Sequence, residues 1–118
     1  MQYLVQLRLA NASRPSTAEE GLSFIEQYIL PTLERCEELQ GQEEIIAGGP
    51  VSGAVALDLI VNADTAQELD EVVTSLPVWP MMETTITPLT TFGHRRRAVL
   101  AIRDRLAKRE SEDAGAAR

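Results

Sequence analysis

Ala54-Val55-Ala56-Leu57-Asp58-Leu59-Ile60-Val61-Asn62 is the stretch on which the fold turns. Val55, Leu57, Leu59 and Val61 alternate with Ala54, Ala56, Asp58, Ile60 and Asn62. A period of two predicts a strand. Both of its faces are largely apolar, so both are expected to be covered. Upstream, Glu43 to Ala47 reads as a short strand, and Gly48-Gly49-Pro50 through Gly53 as the turn of a hairpin. Downstream, Thr65-Ala66-Gln67-Glu68 fits a capping box. It opens a helix over Asp64 to Leu76, with Leu69, Val72, Val73 and Leu76 as its apolar stripe.

The same reasoning extends to both ends. Tyr3, Val5, Leu7 and Leu9 alternate with Gln2, Leu4, Gln6 and Arg8, a first strand. After a loop punctuated by Pro15, Ser16-Thr17-Ala18-Glu19 reads as a second capping box. Leu22, Ile25, Ile29, Leu33 and Cys36 then follow at helical spacing as far as Gly41, with a kink expected at Pro31. Pro77 and Pro80 bracket Val78-Trp79 in a stiff connection, and Met82 to Thr90 is a last strand that Pro88 marks as an edge. From Gly93 a third helix carries Ala98, Val99, Ile102 and Leu106 on one face, by which it is expected to dock. Ser111 to Arg118 reads as a frayed tail.

The order is β-α-β-β-α-β plus a C-terminal helix, the ferredoxin-like α+β plan. Residues 1–92 are expected to form the ferredoxin-like α+β domain, 93–110 the extra helix and 111–118 a flexible tail. Two helices cover one sheet face, and a second sheet from another subunit is the simplest cover for the other.

The 118 residues are 44% hydrophobic and 25% charged, the composition of one globular domain. No apolar run reaches the roughly 20 residues that a bilayer requires, and Met1 to Val5 lacks a signal-peptide n-region. One cysteine, Cys36, excludes a disulfide framework and points to a reducing, cytoplasmic setting. The single histidine, His94, excludes a His-based metal cluster. A net charge of −7 argues against nucleic acid as a partner. From residue 94 onward eight basic side chains face four acidic ones, a net +4, which leaves −11 on the first 93 residues. That asymmetry suits a basic helix resting on its own acidic body or on a neighbouring subunit.

Gln67-Glu68-Leu69, Leu76-Pro77-Val78-Trp79-Pro80 and Ile86-Thr87-Pro88-Leu89 resemble, in type and spacing, motifs of the muconolactone isomerase family, and the opening Met1 to Val5 is similar to that family's first strand. The resemblance covers residues 1 to about 90. It implies dimeric α+β barrels that associate further, and a proton shift between carbons of an unsaturated lactone without cofactor or metal. In this chain residues 42–53 contain none of the Trp, Arg, His and Tyr in which that family's hairpin is rich, and Gln6 stands where an Arg is usual. A related reaction on another small molecule is therefore expected.

Asp58 is the leading candidate for chemistry. A carboxylate in mid-strand is costly unless paired, and burial would raise its pKa toward that of a general base. The structural alternative is an Asp that pairs with Arg8. Arg8 could equally clamp a substrate carboxylate. Tyr28 could donate to an enolate oxygen, or be a core tyrosine with a wet tip. Gln6 and Trp79 are candidates to line the substrate pocket. Two classes of function stay open. One is a cofactor-free isomerase or cyclase acting on a small lactone, enol or polyketide-like molecule. A cofactor-free monooxygenase on the same barrel is a variant of that enzyme class, and the other class is a non-catalytic small-molecule-binding or assembly protein. Either way the open sheet face predicts a homodimer or larger homo-oligomer, burying about 800 Å² or more per subunit. Light scattering at micromolar concentration is expected to give at least twice the chain mass; a monomer would remove the second sheet from the picture.

Overall fold

The computed structural model of the chain describes residues 1–116. Four strands form one antiparallel sheet: β1 (Gln2–Leu9), β2 (Ile45–Pro50), β3 (Ala56–Asn62) and β4 (Met82–Leu89), in the order β2-β3-β1-β4. This is the ferredoxin-like order that the sequence predicts. In the central pair Val5 lies opposite Leu59 and Leu7 opposite Leu57. These four side chains, with Val61, are buried beneath Leu39, Leu69, Val72 and Val73 of the helical layer and Leu76 just beyond it. The edge position of β4 accounts for Pro88, whose missing donor faces no further strand.

The helical layer consists of α1 (Ala18–Phe24), α2 (Leu30–Gly41) and α3 (Ala66–Thr74). Two equivalent caps start it. Thr17 Oγ1 accepts from the Glu20 amide at 3.1 Å, while Glu20 accepts from the Ser16 amide at 2.9 Å. Thr65, Glu68 and Asp64 repeat the arrangement at α3. The first cap therefore falls one residue later than the Ser16–Glu19 reading, because Thr17 is the residue that keeps an extended backbone.

Between α1 and α2 the chain makes a π turn, Ile25–Ile29, closed by the Leu30 amide donating to the Ile25 carbonyl. Pro31, just beyond, lacks an amide hydrogen, and its ring needs room that a tighter turn would deny. The turn absorbs the expected kink and corrects the expected stripe. Ile29, Thr32, Leu33, Cys36 and Leu39 keep ordinary helical spacing. The widened turn then puts Phe24, five residues before Ile29, on the inner face in place of Ile25. Phe24 is buried, whereas Leu22 and Ile25 point outward.

The hairpin also differs from its expected bounds. β2 continues through Gly48, Gly49 and Pro50, and β3 starts at Ala56, so the turn occupies residues 51–55. Gly48 explains the extension. It adopts φ +101°, and a Cβ there would overlap the Asp58 carbonyl oxygen. Glycine thus lets β2 close onto β3 where a side chain would end the pairing.

The C-terminal helix, α4 (Phe92–Ala116), departs most from expectation. Thr91 caps it, its Oγ1 accepting from the His94 amide at 3.0 Å. It then leaves the body as an arm, giving the chain extents of 79 × 31 × 23 Å. Val99, Ile102 and Leu106 do not dock on the chain's own body and remain exposed, as does Phe92. The helix also continues where a frayed tail was expected from Ser111; Ser111-Glu112-Asp113-Ala114 contains no proline to stop it. Residues 117–118 of that expected tail lie outside the described residues. Among the described residues, no helix is long and apolar enough to cross a membrane.

Gly48→Val is expected to cost about 1–3 kcal/mol, from strain at positive φ and loss of the close approach. Gly49→Ala, where a Cβ meets nothing within 4 Å, is expected to be close to neutral. Urea unfolding of the two variants checks the contrast, and equal midpoints would contradict it.

Candidate functional site

Alternation along β1 and β3 sends one set of side chains into the core and the other to the face that no helix covers. Leu4, Gln6 and Arg8 project there from β1, and Asp58 and Ile60 from β3. Gln6 lies directly opposite Asp58, and Arg8 stands one diagonal step away, opposite Ala56. Arg8 Nη1 donates to Asp58 Oδ1 at 2.7 Å and to the Leu7 carbonyl at 3.1 Å. The pair is half open to solvent, with the Arg8 and Asp58 side chains 43% and 40% exposed.

This geometry reverses the sequence expectation for the Asp58 pKa. The Arg8 hydrogen bond holds the Asp58 carboxyl below its ordinary value, outweighing desolvation, and Gln6 adds a smaller pull in the same direction. The same hydrogen bond raises Arg8. Asp58 is therefore a carboxylate at neutral pH.

Of the five residues singled out from sequence, Asp58, Arg8 and Gln6 come together. Tyr28 does not join them: it sits in the π turn of the helical layer, its ring 6.0 Å from that of Phe24. Trp79 lies in a one-turn 3₁₀ helix (Trp79–Met81) ahead of β4, partly exposed.

Two concavities escape the sequence reading. A groove of about 570 Å³ runs beside Arg8, past Leu9 and Val55, to Arg14. Arg8 and Arg14 are two of the three basic residues among the first 93; with Arg8 paired to Asp58, Arg14 leaves the groove with a net positive charge on an acidic body. Their separation in sequence hides this, since only the hairpin turn brings residues 53–56 alongside. The second is a cavity of about 170 Å³ between α2 and β3, lined by Ile29, Thr32, Leu33, Leu57, Val78 and Met82. Its polar group, the buried Thr32 hydroxyl, already accepts from the Val78 amide at 3.0 Å. A threonine within the apolar stripe of α2 was the available signal. Burial raises the pKa of the Cys36 thiol, which keeps it protonated and inert. Among the described residues, no three His, Cys, Asp or Glu side chains are grouped so as to hold a metal ion.

A family model described as Muconolactone delta-isomerase matches residues 1–95. The chain belongs to that family. Of solved structures, a crystal structure of muconolactone isomerase is similar with a TM-score of 0.63 and 16% identity, covering 77% of this chain and 90% of its own. A second is 5-chloro-2-hydroxyhydroquinone dehydrochlorinase from Burkholderia phenoliruptrix AC1100, in complex with 2,5-dihydroxybenzoquinone. It has a TM-score of 0.58 and 20% identity, covering 80% of this chain and 98% of its own. No curated protein matches. Within the muconolactone delta-isomerase family, then, the shared part is the βαββαβ body, and α4 beyond residue 95 lies outside the family match.

The depressed pKa gives a pH signature. The stabilisation that Asp58 contributes is complete above its unfolded value, and it is lost as pH falls through the lower folded value. Carboxylate NMR is expected to show Asp58 titrating below the ordinary aspartate range in the native chain and moving up in Arg8→Gln. An unchanged titration would mean that the ion pair does not form in solution.

Proposed function

We propose that the chain is a cofactor-free proton-transfer enzyme, an isomerase or cyclase acting on a small unsaturated lactone, enol or hydroxylated ring that carries an anionic oxygen. The observation that supports this is the cationic groove of Arg8 and Arg14 next to an ionised Asp58. A substrate carboxylate or enolate is drawn to the two guanidinium groups. The muconolactone isomerase resemblance supports the reaction type. The dihydroxybenzoquinone bound by the dehydrochlorinase supports a small oxygenated ring as substrate.

The ion pair sets how the base works. While Arg8 is bonded to it, Asp58 is a poor base. A substrate oxyanion that engages Arg8 competes for the same donor and releases the carboxylate. A second subunit's sheet, packed over the open face, removes water and lifts the Asp58 pKa further. Asp58 then takes a proton from a carbon next to the carbonyl. The C–H electron pair passes into an enolate whose oxygen rests on Arg8. Return of the proton to a different carbon of the conjugated system completes a double-bond shift and regenerates the carboxylate. Gln6, opposite Asp58, keeps the carboxylate oriented. In this reading the protein acts as a cytoplasmic homo-oligomer.

The apolar cavity between α2 and β3 supports a second reading, non-catalytic binding of a small apolar molecule. It presents no free acid or base.

Solvent deuterium exchange separates the two. With a panel of enolisable lactones and hydroxylated rings in deuterium oxide, the native protein is expected to speed exchange at the acidic carbon. Asp58→Asn is expected to lower that rate about 10²–10⁴-fold with the melting temperature little changed. A stable Asp58→Asn that exchanges as fast as the native protein would overturn the catalytic reading.

A further inference from the structure

Two exposed apolar stripes remain once the sheet and cavity are accounted for. The first runs along the outside of α1 and α2. Leu22 and Ile25 are three residues apart, and the π-turn hydrogen bond stacks Leu30 over Ile25. The second is Val99, Ile102 and Leu106 on α4. All six side chains are between 45% and 59% exposed. Isolated surface aliphatics need no explanation, but two ordered rows of three on one small chain do.

Their flanks carry opposite charge. Glu19 lies three residues before Leu22, Glu26 follows Ile25, and Glu34 lies four residues after Leu30, all exposed. On α4, Arg95 and Arg96 precede Val99 by four and three residues, and Arg109 follows Leu106 by three, all exposed. None of these six charges has an ion-pair partner among the described residues. One row is flanked by acids; the other is flanked mainly by bases, although Glu110 also lines the Val99–Ile102–Leu106 patch beside Arg103. The rows are also similar in length, since Val99 to Leu106 and Leu22 to Leu30 each span about two helical turns.

We propose that α4 of one copy docks on the α1–α2 stripe of a second copy. Leu22, Ile25 and Leu30 then pack against Val99, Ile102 and Leu106, with three carboxylates facing three guanidinium groups. A single uninterrupted helix that leaves the body has its stripe turned toward a neighbour rather than toward its own chain. Two α4 arms pairing with each other would bring together two helices that each carry seven basic and four acidic side chains, a net +3 apiece, which disfavours that partner relative to the acidic body. The contact accounts for the opposed charges of body and helix. It is separate from the open sheet face, and it does not depend on catalysis.

Full-length charge-reversal variants test it. One carries Glu19→Lys, Glu26→Lys and Glu34→Lys; the other carries Arg95→Glu, Arg96→Glu and Arg109→Glu. In sedimentation equilibrium each alone is expected to weaken an association step about tenfold or more. An equal mixture is expected to restore it, because one variant's helix again matches the other's stripe. Leu106→Asp, at an exposed position, is expected to weaken the same step with the melting temperature unchanged. The proposal is overturned if either triple variant associates like the native chain, or if mixing restores nothing. It is also overturned if Leu106→Asp lowers the melting temperature at constant mass, the result expected of a helix folded onto its own body.

Discussion

The antiparallel register of β1 and β3 is the constraint from which the rest follows. Setting Val5 against Leu59 and Leu7 against Leu57 buries four large aliphatics on one face of the sheet centre. The pleat then leaves no choice about the other face. Gln6 must meet Asp58, and Arg8 must lie one diagonal step off. A slip of one residue would send Asp58 into the core and the leucines to solvent. The packing that stabilises the fold and the polar group that we assign to chemistry are thus two sides of one register.

That dependence explains why so much of the architecture was legible. The period-two runs at Tyr3–Leu9 and Ala54–Asn62, the Thr65-x-x-Glu68 cap and the prolines bracketing Val78-Trp79 each carry a local physical signal, and together they leave few arrangements. The first cap reads one residue early because Ser16 and Thr17 each place a hydroxyl three residues before a Glu. Arg8 beside Asp58 was legible too, because strand adjacency follows from the element order. Its consequence for the Asp58 pKa was not. The apolar neighbours Ala56 and Ile60 are visible in the sequence and argue for a raised value, but the 2.7 Å hydrogen bond from Arg8, which outweighs desolvation, depends on a side-chain conformation that periodicity does not carry. The π turn was illegible for a similar reason. Periodicity assumes a constant angle per residue, so Ile25 and Phe24 exchanged faces without any change in composition.

Charge is distributed with more order than its sum suggests. A body at −11 carries only three basic residues before residue 94, and two of them line the groove beside Asp58. The excess of carboxylates elsewhere raises the contrast at that spot, which helps to steer an anion toward it. The positive excess sits on α4, beyond the part of the chain that the family shares. Body and arm therefore differ in charge, in packing and in family membership at nearly the same residue.

The π turn has a meaning for chain length. Its widened ring holds one residue more than an α-helix needs between Phe24 and Ile29. Omitting a residue such as Glu26 or Gln27 would leave Phe24 four positions before Ile29, and Leu30 four positions after Ile25. Both the inner and the outer stripe would survive in a plain α-helix, and the cost would fall on Pro31, whose ring would again press on the preceding turn. This part of the helical layer can therefore absorb a single-residue change in length without re-registering either of its surfaces, a tolerance that the pleated centre of the sheet lacks.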